Sequence, residues 1–119
     1  MPLYFIETDV FTKRMIDLGL EDELRELQAR LLANPTAGDT DAGTGGLRKI
    51  RMRAPGRNEG KRGGARAHYL YLSAHGVIYL LSVYGKREQS TLSSQQKKQL
   101  KGVVESIKSE WANERDETD

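Results

Sequence analysis

The sequence predicts an α+β domain: a small, largely antiparallel sheet with a two-helix hairpin and a C-terminal helix packed on it, in the order β-α-α-β-β-β-α. Short apolar or alternating runs near the N-terminus and across the centre of the chain are typical of strands. Two segments after the first run, and one near the C-terminus, repeat apolar residues every three or four positions, as amphipathic helices do. A helix hairpin of this length normally packs on a sheet, which gives the predicted architecture.

Length and composition limit the classes of protein that this chain can belong to. The 119 residues suit one domain, which we place at residues 1–112, and a polar tail at 113–119 that should fray. The absence of cysteine excludes disulfides, thiolate metal sites and a cysteine nucleophile. No apolar run approaches the roughly 18 residues of a membrane span, and no export signal is visible. We therefore expect a cytoplasmic protein that does not bind membranes.

The N-terminal third should contain one strand and two helices. Residues 3–6 form a short apolar run rich in β-formers. Thr8 and Asp9 then offer N-cap oxygens to the first helix, and Gly19 can end that helix in the left-handed conformation. The apolar stripe of the second helix begins at Leu20. This helix should end near Ala33, because the residue before Pro35 disfavours helical backbone.

The centre of the chain predicts three strands and a basic loop. Residues 47–53 alternate, so that Ile50 and Met52 face the core while Lys49, Arg51 and Arg53 face the other way. The apolar runs at 65–73 and 77–84 predict two central strands joined by a tight turn. Between them, residues 54–64 contain Pro-Gly and Gly-Gly pairs, which indicate a loop.

The last predicted element is a helix that follows the third central strand. Ser93 or Ser90 can cap this helix, and Ser93 with Gln96 has the spacing of a capping box. Its apolar stripe ends at Trp111, a residue suited to anchoring a core or an interface. The stripe comprises Leu100, Val103, Val104, Ile107 and Trp111.

Positive charge is concentrated in the centre of the chain. Residues 47–89 contain ten Lys or Arg and two Glu, a net charge of +8, whereas the whole chain carries +2 and the remainder therefore −6. This asymmetry indicates a polyanion partner. Three cations on one face of a short strand favour a phosphate-binding surface, since like charges repel one another. A dinucleotide fingerprint is absent, because the glycines at 43–46 do not lie between a strand and a helix. A P-loop is absent as well, because Arg62 follows Gly60-Lys61 and Pro55 stands where the first glycine of that motif belongs.

Three sequence blocks in this order resemble the RelE/HigB toxins of bacterial type II toxin–antitoxin systems, most closely the HigB-like branch. The blocks are GTGGLRKIR at 43–51, GKRGGAR at 60–66 and YGKRE at 84–88. The resemblance implies a RelE-like fold and a ribosome-dependent endoribonuclease, an mRNA interferase that cuts mRNA in the A site and inhibits translation. It also implies a cognate antitoxin, often a helix-turn-helix DNA-binding protein, and it implies no cofactor.

The resemblance also assigns candidate catalytic residues. Lys49 and Arg51 match a strand that carries two basic catalytic residues in the family, and Arg66 matches the arginine that opens the next strand. Lys86 and Arg87 match the basic pair after the last strand. Charge and position add a set of candidate contacts to RNA or the ribosome, in which Tyr84 could stack on a base. This set comprises Arg48, Arg53, Arg57, Lys61, Arg62 and Tyr84.

The residue that transfers the proton is left open by the sequence. RNA is cut without a metal when its own 2′-OH attacks the adjacent phosphate, a reaction that needs a base and an acid. Lys49 and Lys61 are candidates because neighbouring cations favour neutral lysine. His68 titrates near neutrality, and Glu88 either accepts a proton or pairs with Lys86 or Arg87. Two distant histidines without clustered carboxylates predict no metal site.

Two other functions use the same basic surface. A non-catalytic RNA- or DNA-binding module would show salt-sensitive binding without cleavage. A protein-interaction module would only dock an acidic segment of an antitoxin. An antitoxin itself could cover the basic residues, or it could bind the helix at 20–32 or the Trp111 helix and block ribosome entry by its bulk. We expect the second route.

Overall fold

The computed structural model describes residues 2–53 and 64–117, with side chains described as far as Ala112. The order of elements is that predicted, with the addition of a two-residue strand before the basic strand. The elements are β1 (Tyr4–Glu7), α1 (Asp9–Asp17), α2 (Glu23–Ala33), β2 (Asp39–Thr40), β3 (Arg48–Met52), β4 (Ala65–Leu72), β5 (Val77–Gly85) and α3 (Ser94–Glu117).

The described strands form one sheet in the order β1-β5-β4-β3-β2. Strand β1 runs parallel to β5, and every other neighbouring pair is antiparallel. The prediction of a small, largely antiparallel sheet is therefore confirmed. Strand β4 lies at the centre, which agrees with its almost continuous burial.

Local sequence signals determine the ends of the first two helices. The side chain of Thr8 accepts a hydrogen bond from the Phe11 amide at 3.1 Å and so caps α1, as predicted. Gly19 follows the end of α1 with φ +69°, the left-handed conformation that glycine adopts without strain. Helix α2 begins only at Glu23, so Leu20 lies before the helix, although it is still buried.

The sheet separates two apolar clusters. Along β4, Tyr69 belongs to one cluster and the next residue, Leu70, to the other; Leu80 and Leu81 on β5 divide in the same way. Because successive side chains of a strand point to opposite faces, the clusters lie on opposite sides of the sheet. Helices α1 and α2 cover the first face, through Phe11, Met15, Leu27 and Leu31, and α3 covers part of the second, through Val104 and Ile107.

Helix α3 begins with the predicted capping box. The Ser93 amide donates to Oε1 of Gln96 at 2.8 Å, and the Gln96 amide donates to Oγ of Ser93 at 3.1 Å. Near its other end, Nε1 of Trp111 donates to Oη of Tyr79 at 2.9 Å, which anchors the helix on β5. Helix α3 runs to Glu117, because no glycine or proline after Gly102 interrupts it. The fraying of the tail at 113–119 stays a prediction.

Among the described residues, the longest helix is too polar to cross a membrane, and the shorter helices do not qualify either.

Candidate nucleic-acid interface

The face of the sheet that carries α3 has a covered end and an open end. Along β4, Leu70, His68 and Arg66 alternate onto this one face. Leu70 packs under α3, whose first turns reach the level of His68 through Lys97 and Asp41. Arg66 lies beyond the N-terminal end of the helix and is half-exposed. The part of the face that α3 leaves open is therefore the part that bears the predicted basic residues.

Four cationic side chains surround a small hollow at this open end. Arg51 and Arg66 are direct partners across β3 and β4, and Tyr84 is the partner of Arg66 on β5. The hollow has a volume of about 50 Å³, and among the described residues that line it none carries a carboxylate. We call Arg51, Arg53, Arg66 and Lys86, which line it together with Met52, Gly64 and Ala65, the cationic face.

The backbone around the cationic face is held by hydrogen bonds. The Lys86 amide donates to the Gly64 carbonyl at 2.9 Å, which joins the two chain segments that enter and leave the hollow. On the far side of β3, Nη1 of Arg30 donates to the Arg51 carbonyl at 2.7 Å. The cations therefore stand on fixed backbone. Directly opposed like charges destabilise a sheet, and phosphate oxygens would relieve this repulsion.

Between the covered and open ends lies a row of three polar residues, of which His68 and Asp41 are buried and Lys97 is partly exposed. Nε2 of His68 is 2.8 Å from Oδ2 of Asp41, and Oδ1 of Asp41 is 3.2 Å from Nζ of Lys97 in α3. His68 is completely buried, and the only strand residue beside it on β3 is Lys49, its partner across the ladder. These three side chains connect β4, the loop that precedes β3, and α3.

Electrostatics determine where the proton of His68 lies. Burial lowers the pKa of His68, and Lys49 and Lys97 lower it further, while Asp41 opposes them. Burial alone would raise the pKa of Asp41, but the hydrogen bonds of its carboxylate with His68 and Lys97 outweigh burial and lower it. At neutral pH a neutral imidazole therefore donates from Nε2 to an ionised carboxylate. Its Nδ1 is buried and has no partner in the described part of the protein.

This geometry changes the interpretation of His68. A fully buried ring has no surface for RNA in this conformation, and the role of His68 as an acid or base stays a prediction. Neither Asp41 nor Lys97 was predicted from the sequence. Asp41 lies in a loop rich in Gly, Thr and Asp, and Lys97 is one of several lysines on α3, so neither residue carried a local signal.

Tyr84 lies on the same face as Arg66 but is only 5 % exposed. Its hydroxyl donates to the Ser90 carbonyl at 3.4 Å, which directs the ring under the segment after β5. Burial raises the pKa of Tyr84, although Arg66 opposes the shift, so the phenol stays protonated at neutral pH. The ring offers little free surface to a base in this conformation, and its contact with RNA stays a prediction.

Glu88 pairs with a cation, but not with either of the two that the sequence suggested. Its carboxylate forms an ion pair with Arg14 of α1 and accepts a hydrogen bond from the Gly85 amide at 2.8 Å. These contacts turn it toward α1 and away from the cationic face. Lys86 and Arg87 lie in the exposed turn after β5.

The remaining predicted contacts divide into three groups. Arg53 lines the hollow and Lys49 is the strand partner of His68, while their contacts with RNA stay predictions. Arg48 differs: its guanidinium lies on the other side of the sheet and donates to the Gly38 carbonyl at 2.7 Å. The third group, Arg57, Lys61 and Arg62, lies outside the residues that the structure describes.

The donor groups of the described residues show no metal site. Within residues 2–53 and 64–112, no three His, Asp or Glu side chains come together as ligands of an ion would.

Comparison with known proteins finds a solved structure of similar architecture. No protein-family model matches the sequence. Among solved structures, the chain is similar to the toxin RelE from E. coli, determined as a double arginine-to-alanine mutant in the free state. The two share 17 % sequence identity with a TM-score of 0.56, over 75 % of this chain and 88 % of the other. The chain therefore has a RelE-like α+β fold.

Proposed function

We propose that this chain is the toxin of a toxin–antitoxin system and acts as a ribosome-dependent endoribonuclease that cleaves mRNA in the A site. One observation carries the proposal: on a RelE-like fold, the end of the sheet that α3 leaves open bears Arg51, Arg53, Arg66 and Lys86 around one hollow. A surface whose described residues concentrate cations and include no carboxylate is complementary to a phosphate backbone.

The reaction that suits these residues needs no metal. The 2′-oxygen of one nucleotide attacks its own 3′-phosphorus, and the bond between phosphorus and the 5′-oxygen of the next nucleotide breaks. The 2′-OH gives its proton to a base, and the leaving 5′-oxygen takes up a proton. The products are a 2′,3′-cyclic phosphate and a 5′-OH. The protein has to hold the nucleotide in line, transfer the protons and stabilise the charge of the phosphorane.

Arg66 and Arg51 suit the last of these roles. Guanidinium groups stay charged and grip two phosphate oxygens at once, and these two residues are opposed across β3 and β4. Lys86 adds a third cation at the hollow, and Arg87 follows it in the turn. We assign the base to Lys49, which borders this site, because His68 is buried and Glu88 turns toward α1. Ribosomal contacts would come from the basic loop that contains Arg57, Lys61 and Arg62.

The partners follow from the same proposal. A chain that cleaves mRNA has to be held inactive in its own cell, so a cognate antitoxin is expected, with a helix-turn-helix DNA-binding protein as the preferred class. Exposed apolar side chains on the helices, such as Leu32 and Val103, offer it a surface away from the cationic face. The protein would act in the cytoplasm, where ribosomes are.

The test is cleavage of mRNA on programmed ribosomes, with the same mRNA free in solution as the control. We expect cuts within the A-site codon and products that end in a 2′,3′-cyclic phosphate and a 5′-OH. Binding of RNA without cleavage would instead support a non-catalytic nucleic-acid-binding module. Strong binding to an antitoxin with neither RNA binding nor cleavage would support an interaction module.

A further inference from the structure

Next to the cationic face lies an open concavity of a different chemical character. It is formed by the segment that follows the turn after β5 and by the first turns of α3, and its volume is about 550 Å³. Every described residue that lines it carries a side-chain amide or hydroxyl group, and none of them carries a charge. We call this set, which comprises Gln89, Thr91, Ser93, Gln95, Gln96 and Gln99, the glutamine surface.

Two of the glutamines are fixed by hydrogen bonds. Nε2 of Gln89 donates to the Thr91 carbonyl at 2.8 Å and to Oε1 of Gln96 at 2.9 Å. Oε1 of Gln96 also accepts from the Ser93 amide at the beginning of α3. These contacts hold the side chains of Gln89 and Gln96 in place at the base of the concavity. Gln95 and Gln99 are exposed, and within the described part of the chain their amides have no hydrogen-bond partner.

The glutamine surface is continuous with the cationic face. Tyr84, the strand partner of Arg66, reaches the Ser90 carbonyl with its hydroxyl, and Ser90 follows directly on Gln89. The backbone amide of Gln89 in turn donates to the carbonyl of Gly85 at 3.3 Å, and Gly85 directly precedes Lys86. A single strand of RNA whose phosphate lies on the cationic face would therefore bring a neighbouring nucleotide to the glutamine surface.

An amide recognises a different part of a nucleotide than a guanidinium does. A glutamine side chain presents a donor and an acceptor side by side, and it pairs in two-pronged fashion with the N6 amino group and N7 of adenine. Proteins that recognise single-stranded RNA by sequence bind the edges of unstacked bases in this way. Uncharged amides attract a phosphate much less than the neighbouring cations do. The two surfaces are thus suited to the two parts of one nucleotide chain.

We propose that the glutamine surface binds a nucleobase next to the scissile phosphate, with adenine as the preferred base, and sets the nucleotide preference of cleavage. Gln95 and Gln99 contact the base, while Gln89 and Gln96 support them. This inference rests on the proposed nuclease function and adds the residues that determine its specificity. A surface for an acidic protein segment would require cations here, and the described residues that line the concavity include none.

The test compares wild type with a Gln95→Ala/Gln99→Ala double variant in two measurements. The first maps cleavage sites on programmed ribosomes that carry codons of different adenine content. The second measures the affinity for single-stranded adenine-rich and uracil-rich oligonucleotides of equal length by fluorescence anisotropy, with 2′-deoxy sugars to prevent cleavage. Gln28→Ala, which removes an amide from α2, is the matched control. Because neither substitution touches the capping pair of Ser93 and Gln96, the thermal stability of the double variant should be close to that of wild type.

We expect the double variant to lose its preference for adenine by roughly fivefold or more, the effect of one good amide–base pair, while it still cleaves and the control behaves as wild type. An unchanged preference, or an equal loss of affinity for both oligonucleotides, would overturn the inference while leaving the nuclease intact. Wild-type protein that cleaves nothing on ribosomes would instead show that the proposed function itself is wrong, and the inference would fall with it.

Discussion

The two ends of one face of the sheet differ in what covers them. At the covered end, Leu70 of β4 and Leu81 of β5 pack against Val104 and Ile107 of α3. At the open end the same strands carry Arg66 and Tyr84, with Arg51 opposite Arg66 on β3, and the arginine side chains remain accessible. The same strands cross both regions, which differ in two ways: the residues under α3 are apolar, and those beyond its end include the cations that line the hollow.

The three polar side chains of Lys97, Asp41 and His68 lie at the boundary between the covered end and the open end. They fix the beginning of α3 at one level of the sheet through charge-assisted hydrogen bonds, which are stronger than neutral ones. On one side of this level, α3 packs apolar side chains on the sheet. On the other side, the open face of the sheet is cationic. The comparison indicates that a few buried polar contacts decide how much of the face is available to a partner.

The largest expected effect comes from removing a cation at the open end. Arg66→Ala should lower the rate of mRNA cleavage by about a hundredfold or more, the usual cost of losing one donor to a transition state. Its stability should stay near that of wild type, because the side chain is only half-buried. Single-turnover cleavage on programmed ribosomes measures the rate, and thermal unfolding measures the stability.

Arg25→Ala is the matched control for this prediction. It removes an exposed arginine from α2, on the other side of the sheet, and should leave cleavage unchanged. Near-wild-type cleavage by the Arg66 variant would remove Arg66 from the site.

A smaller effect should come from replacing His68, at the boundary between the covered and open ends. His68→Ala should lower the free energy of unfolding by about 1–3 kcal/mol, since it leaves a buried carboxylate without one of its hydrogen bonds. His68→Gln should restore part of the loss, because its amide can also donate to Asp41. Chemical denaturation measures both. Lys98→Gln, which removes the exposed neighbour of Lys97, should have little effect.

The same residue should give stability a dependence on pH. Because burial lowers the pKa of His68, the unfolded chain takes up this proton first as the pH falls. Protonation then favours unfolding, so the free energy of unfolding should decrease as the pH drops below the ordinary histidine pKa of about 6.5. The His68→Gln variant should lack this contribution. An identical pH dependence in both proteins would contradict the buried neutral imidazole.

The smallest effect is expected when cations at the open end are replaced and the affinity for the antitoxin is measured. If the antitoxin binds the helices and excludes the ribosome by its bulk, Lys49→Glu with Arg51→Glu should leave its affinity nearly unchanged. Calorimetry with the purified antitoxin tests this. A loss of several kcal/mol, the scale of buried interfacial charge pairs, would show that the partner occupies the cationic face and that the two ends of the sheet do not act independently.

The sequence by itself determined the elements and the direction of most side chains. The alternation of residues 47–53 put Ile50 in the core and Arg51 on the opposite face, as the structure shows. Thr8, Gly19 and the pair of Ser93 and Gln96 marked helix ends, and each acts as predicted. These features depend on residues that are close in the chain, so local rules suffice to find them.

Only the tertiary structure decided what covers each side chain and which charges meet. Asp41 and His68 are 27 positions apart, and Arg14 and Glu88 are 74 apart, so no local pattern could pair them. The same is true of the short strand β2 and of α3, which ends its cover at the level of His68 and leaves Arg66 open. Burial and charge pairing arise from contacts between distant segments, and for that reason the sequence located the basic strands while the fold alone defined the cationic face.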